Sequence, residues 1–223
     1  MKIRGLIFDF DGLILDTEQA EFQSWQEFFS IYQLDLPFSE WSLCIGTSNK
    51  AFDVYEYFKK KVGKPIPREE IDRVRVARLY ELVNQLSPLP GVVNLIEDAK
   101  ANGLKIGLAS SSPYQWVSSH LKRLGLFPFF DSIRTKEDVV EVKPNPDLYL
   151  KSIEALGLSS SNAVVFEDSP NGIKAAKAAG LFCIAVPNQL TRMMDTSEAD
   201  INLVSLDGVH LDFIEKQFNR KNR

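Results

Sequence analysis

The feature that most constrains this chain is a single short apolar strand followed by about seventy residues with no second one. Ile3 opens the strand and Leu6-Ile7-Phe8 completes it, before an abrupt end in Asp9-Phe10-Asp11-Gly12. A run apolar on consecutive residues, not on alternate ones, suits a strand covered on both faces, as in a parallel sheet. The periodicity then changes. Phe22, Trp25, Phe28, Phe29 and Tyr32 recur at helical spacing, as do Phe52, Tyr55, Phe58 and Val62, and again Ile71, Val74, Leu79, Leu82 and Val83. From Glu18 to Leu86 the chain reads as helix after helix.

Ser87-Pro88-Leu89-Pro90-Gly91 breaks that run, and strands and helices alternate from there on. Helical segments are predicted over 92–102, 114–124, 148–156 and 173–179. Each is stopped by a glycine: Gly103, Gly125, Gly157 and Gly180. Strands are predicted over 106–109, 132–135, 163–166 and 183–186, which implies parallel βαβ units. The pattern predicts an α/β fold: a Rossmann-like parallel-sheet core, residues 1–16 and 89–223, with an all-helical cap, residues 17–88, inserted after the first strand. Crossings near Leu15–Thr17 and Ser87–Pro90 would form a hinge. A single α+β domain with an early helical layer fits the same periodicity.

In an open parallel sheet, ligands bind beyond the carboxyl ends of the strands. Asp9 and Asp11 follow the first strand, Ser110 the second, and Glu167 and Asp168 a later one, while Lys143 lies in the loop before a helix. Four carboxylates in one mouth cannot all stay ionised without a cation. Oxygen ligands suit a hard ion such as Mg²⁺, which binds one or two carboxylates together with a substrate phosphate. Ser110 and Lys143 would take the remaining phosphate oxygens. Each element also has a structural alternative. Asp-x-Asp-Gly is a common turn, Ser110 could cap the next helix, Lys143 could be a solvated loop lysine, and Glu167-Asp168-Ser169 could start a helix.

Composition narrows the functional classes. Lys and Arg number 26 against 30 Asp and Glu, a net charge of −4, which argues against a nucleic-acid binder with a basic face. No apolar run has the length of a membrane span, and an acid interrupts the first apolar stretch too early for a signal peptide. The two cysteines, Cys44 and Cys183, lack metal or disulfide spacing and read as small buried hydrophobes. A cytoplasmic protein is expected, with no membrane or nucleic-acid partner.

Four segments, in order, resemble the motifs of the haloacid dehalogenase-like hydrolases. They are Asp9-Phe10-Asp11-Gly12-Leu13-Ile14-Leu15-Asp16-Thr17, Ser110, Lys143-Pro144-Asn145-Pro146-Asp147, and Glu167-Asp168-Ser169-Pro170-Asn171-Gly172. The nearest group is the β-phosphoglucomutase-like phosphatases with a helical cap. The resemblance implies that Asp9 is the nucleophile that forms an aspartyl-phosphate and Asp11 the general acid and base. It implies Mg²⁺ held by Asp9, the Asp11 carbonyl and Asp168, with Glu167 as ligand or supporting partner, and a phosphoryl group bound by Ser110 and Lys143.

An aspartate at position 11 sets the chain apart from the dehalogenating members. The cap histidine and phosphate-gripping arginine of the mutases correspond to Glu21 and Asn49 here. Hydrolysis of a small phosphorylated metabolite is therefore expected, with phosphomutase activity as the alternative and a non-catalytic phospho-switch as a third reading. Substrate selection is expected from the cap residues Glu18, Glu21, Trp25, Thr47, Asn49, Arg75 and Arg78. A monomer is expected because the cap itself would close the site.

Overall fold

The computed structural model describes residues 2–43 and 52–221. Strand β1 is Gly5–Phe8, all four residues buried. Helices α1 (Thr17–Ile31), α2 (Phe38–Trp41), α3 (Val54–Val62) and α4 (Arg68–Gln85) follow it with no strand between them among the described residues. Alternation then begins with α5 (Val92–Ala101), β2 (Lys105–Ala109), α6 (Tyr114–Arg123), β3 (Ser132–Arg134) and α7 (Asp147–Leu156). It continues with β4 (Ala163–Glu167), α8 (Pro170–Ala178), β5 (Phe182–Ala185), β6 (Ile201–Asn202) and α9 (Leu211–Lys221). The fold is α/β with a Rossmann-like parallel sheet. Helix α8 starts three residues before the predicted 173, because Ser169 caps it by accepting from Gly172 N at 3.2 Å and Pro170 suits the first helical position.

The six strands are all parallel, in the order β3-β2-β1-β4-β5-β6. Strand β1 is central, which is why its run is apolar on both faces. Leu6 and Phe8 face one side with Ile106, Leu108, Val164 and Phe166, against residues of α5, α6 and α9. Phe8 and Phe166 stack across the strands with centroids 4.9 Å apart. Ile7 faces the other side with Val165 and Cys183, under Leu148 and Tyr149 of α7 and the small residues of α8. Each large apolar side chain buried in these layers contributes about 1.5–3 kcal/mol against conformational entropy.

The helices between β1 and α5 have a separate aromatic core. Trp25, Phe28 and Phe29 of α1 pack with Tyr55 and Phe58 of α3, and Trp25 meets Tyr55 edge-on at 4.9 Å. The predicted stripe of α4 is displaced in one place. Ile71, Leu79 and Val83 are buried, but Val74 is 42% exposed and Arg75 is only 7% exposed, so an arginine holds the position that periodicity gave to valine. The reason lies in the site described below, where Arg75 has an acid and an indole ring to meet.

Gly91 and Gly103 flank α5 with similar left-handed dihedrals, φ +83° and +74°. A Cβ on Gly91 would lie 1.9 Å from the Leu206 carbonyl oxygen, whereas one on Gly103 would meet nothing within 4 Å. Gly103→Ala should cost about 1–2 kcal/mol from backbone strain alone. Gly91→Ala should cost about 3 kcal/mol or more, because backbone must also move. Urea midpoints measure both, and equal shifts would contradict the packing described at Gly91.

Candidate active site

Register brings the acids together. Phe8 pairs with Leu108 on one side and Phe166 on the other, so Asp9, Ala109 and Glu167 follow at one level. The Asp9 amide donates to the Phe166 carbonyl at 3.0 Å, which carries the strand geometry one residue further. The chain then folds back through Gly12 N to Leu15 O at 2.8 Å and Ile14 N to Phe10 O at 2.9 Å. Gly12 has φ +79°, and a Cβ there would sit 2.4 Å from Asp168 Oδ2. Only glycine lets this turn approach the acid of β4 so closely. Thus the Asp-x-Asp-Gly segment is a turn, as the structural alternative has it, and it is also built against a second acid.

Asp9, Glu167 and Asp168 each offer an oxygen, with these atoms within 4.8 Å of one another. Lys143 Nζ lies 2.6 Å from Asp9 Oδ1 and 2.6 Å from Glu167 Oε1, and is 4% exposed, so it is no solvated loop lysine. Glu167 is saturated with donors: besides Lys143 it accepts from the Tyr149 hydroxyl, Asp168 N at 3.1 Å and Ser169 Oγ at 3.3 Å. Asp168 Oδ2 accepts from Asn188 Nδ2 at 2.8 Å, and the same amide nitrogen donates to Gly12 O at 3.2 Å. Asn188 Oδ1 is itself held by the amides of Leu190 and Thr191. Leu190, two residues on, is buried in the aromatic cluster of Trp25 and Phe58.

Asp11 has a different environment. Its Oδ1 accepts from Thr17 Oγ1 at 2.7 Å and Trp116 Nε1 at 2.9 Å, and its Oδ2 from Ser112 Oγ at 2.6 Å and Ser110 Oγ at 3.3 Å. Ser110 is buried and also accepts from Ser112 N at 3.0 Å. It does not cap α6, whose preceding residue, Pro113, makes no side-chain cap.

The charge balance is unfavourable without a further cation, because one ammonium faces three buried carboxylates. Burial, then the neighbouring Glu167, pushes the Asp9 carboxyl up to about 7 despite Lys143 beside it. Burial, then Glu167 and Asp9, raises Asp168 well above the ordinary range. Burial opposes the Lys143 ammonium, but Asp9 and Glu167 outweigh it and hold its pKa above the ordinary lysine value. An oxygen-rich, electron-rich corner of this kind fits a hard divalent ion such as Mg²⁺.

These groups open into a cavity of about 1070 Å³ whose far wall is α1, α3 and α4. Glu18, Glu21, Trp25 and Arg75 line it. Arg75 Nη1 pairs with Glu21 Oε1 at 2.7 Å, and its guanidinium lies 4.6 Å from the Trp25 ring. Its Nε is buried with no hydrogen-bond partner. Arg78 does not line this cavity. It turns outward to Glu27 at 2.6 Å and Glu81 at 3.0 Å, two acids on the outer side of the helices. Asn49, Thr47 and Cys44 lie outside the described residues. Sequence reading missed Asn188, Tyr149, Ser112 and Trp116. Of these, only Ser112 carried a signal, through its place in the Ser-Ser-Ser that follows β2.

Burial, and after it Asp11 and Glu21, pushes Glu18 from 4.5 up to about 8. Folded Glu18 therefore keeps a proton that the unfolded chain loses above about 4.5. Its contribution to stability is full below that pH and is lost as pH rises through about 8. Glu18→Gln mimics the protonated form. In metal-free buffer, the melting temperature of this variant relative to the parent should climb steadily between pH 4.5 and 8. A difference independent of pH would contradict it.

Comparison with known proteins agrees with this arrangement. Residues 6–186 match the family model described as haloacid dehalogenase-like hydrolase. YhcW of Bacillus subtilis, named for an inferred phosphatase activity, is 44% identical over 220 residues, covering 99% of this chain and 100% of that protein. Hexitol phosphatase B of Escherichia coli is 33% identical over 190 residues, covering 83% and 84%. The crystal structure of β-phosphoglucomutase from Clostridium difficile superposes with a TM-score of 0.77 at 27% identity, covering 99% of each chain. The chain belongs to the haloacid dehalogenase-like hydrolases.

Proposed function

We propose that the protein hydrolyses a small phosphorylated metabolite, of the sugar or sugar-alcohol class, through an aspartyl-phosphate on Asp9. The observation that carries this reading is Lys143, whose buried ammonium touches Asp9 at the floor of a cavity large enough for a sugar phosphate. An Asp9 oxygen attacks phosphorus, and the bond from phosphorus to the substrate oxygen breaks. Asp11 gives a proton to that leaving oxygen, then takes one from the water that attacks the aspartyl-phosphate. The Asp9–phosphorus bond breaks in the second step and releases inorganic phosphate. Lys143 and Ser110 bind the phosphoryl oxygens throughout.

Asp9, the carbonyl of Asp11 and Asp168 would hold Mg²⁺, which when bound neutralises phosphoryl charge as it develops. Glu167, with its oxygens taken by Lys143, Tyr149 and the following amides, would support Lys143 from behind. Residues 17–88 would act as a cap and select the substrate through Glu18, Glu21, Trp25 and Arg75. The relative named as a hexitol phosphatase supports a polyol, whose hydroxyls can hydrogen-bond to Glu18 and Glu21. Phosphomutase activity is disfavoured because Glu21, at the position of the mutases' cap histidine, is tied to Arg75.

The test is phosphate release from a panel of sugar, sugar-alcohol and carboxylic-acid phosphates, with Mg²⁺ or with a chelator. The parent should release phosphate only with the metal. Asp9→Asn should lower turnover at least about a thousandfold while the circular dichroism spectrum stays the same. Full metal-dependent turnover by that variant would exclude Asp9 as nucleophile. Bisphosphate-dependent isomerisation of a sugar phosphate would instead establish the mutase.

A further inference from the structure

Trp116 lies on α6, outside the family motifs, and its indole N–H has one partner, Asp11 Oδ1 at 2.9 Å. The other donors to Asp11 are hydroxyls, from Thr17, Ser110 and Ser112. A hydroxyl can rotate and accept, whereas an indole N–H can only donate. The partners of Oδ2 are both serine hydroxyls, which can turn away and leave that oxygen open to the cavity. Oδ1, facing the indole, is kept as an acceptor. The ring itself is boxed in. It meets His120 edge-on with centroids 4.4 Å apart, and Tyr80 of α4 edge-on at 5.4 Å.

We propose that Trp116 is a positioning residue that fixes the orientation of the Asp11 carboxyl, so that Oδ2 presents the proton to the leaving group. The inference rests on the reading of Asp11 as general acid and base. It assigns Trp116 no contact with the reacting atoms. The held orientation matters most where the departing oxygen needs a proton, as for a sugar or alkyl alkoxide. It matters little for p-nitrophenolate, which departs without one.

The experiment compares kcat/KM for a sugar phosphate and for p-nitrophenyl phosphate, in full-length protein with Mg²⁺. Trp116→Phe keeps a ring and removes the donor. A second variant carries benzothienylalanine at 116, with sulfur in place of the N–H and the shape unchanged, and covers any failure of the phenylalanine variant to fold. We expect about a tenfold loss or more for the sugar phosphate, the size of one charge-assisted hydrogen bond, and less than about twofold for p-nitrophenyl phosphate. Equal losses on both substrates, or none on either, would overturn the role while leaving the phosphatase reading intact. Absence of phosphate release by the parent would remove that reading and this inference with it.

Discussion

One ammonium shared between two buried carboxylates organises this molecule. Lys143 is removed from water, and its placement is tolerable only because Asp9 and Glu167 lie within hydrogen-bond reach. Those acids reach it from two adjacent strands whose parallel register leaves them level. Glu167 in turn needs its remaining donors, from Tyr149 of α7 and the first residues after β4, so the helix layer behind the sheet also serves the site. With Asp168 close by, acidic charge still exceeds basic charge, and that excess would favour a cation in this corner.

Two acids with a single residue between them thus have opposite surroundings. Asp9 is buried against other carboxylates and a single ammonium, which suits the attack on phosphorus proposed for it. Asp11 is ringed by hydroxyls and an indole, which suits the proton exchange proposed for it. The Gly12 turn divides the two environments, since it sends Asp11 toward β2 and α6 while its own backbone presses on Asp168.

Much of this was legible in the sequence. The apolar run of β1, the alternation after Gly91 and the strand-end placement of Asp9, Asp11, Ser110, Glu167 and Asp168 follow from periodicity and from the rule for ligand sites in parallel sheets. What escaped were side chains whose role depends on distant partners. Asn188 bridges Asp168 and Gly12 from a loop with no periodic pattern. Trp116 is one more aromatic residue until α6 is docked beside Asp11. Arg75 and Arg78 look alike along the chain, yet one meets an indole and an acid inside the cavity while the other turns to surface glutamates. Tertiary geometry separates them, and local pattern carries no record of it.

Leu190 belongs to the strand–helix portion by sequence and to the aromatic cluster of the inserted helices by packing. Its neighbour Asn188 grips an acid of the carboxylate corner. A side chain with such divided membership makes the two portions poor modules. Excising the inserted helices, or grafting in others, would leave an apolar side chain in water and loosen the amide that steadies Asp168. New substrate scope in a chain built this way is better sought by changing single residues on the cavity wall than by exchanging the insertion as a block.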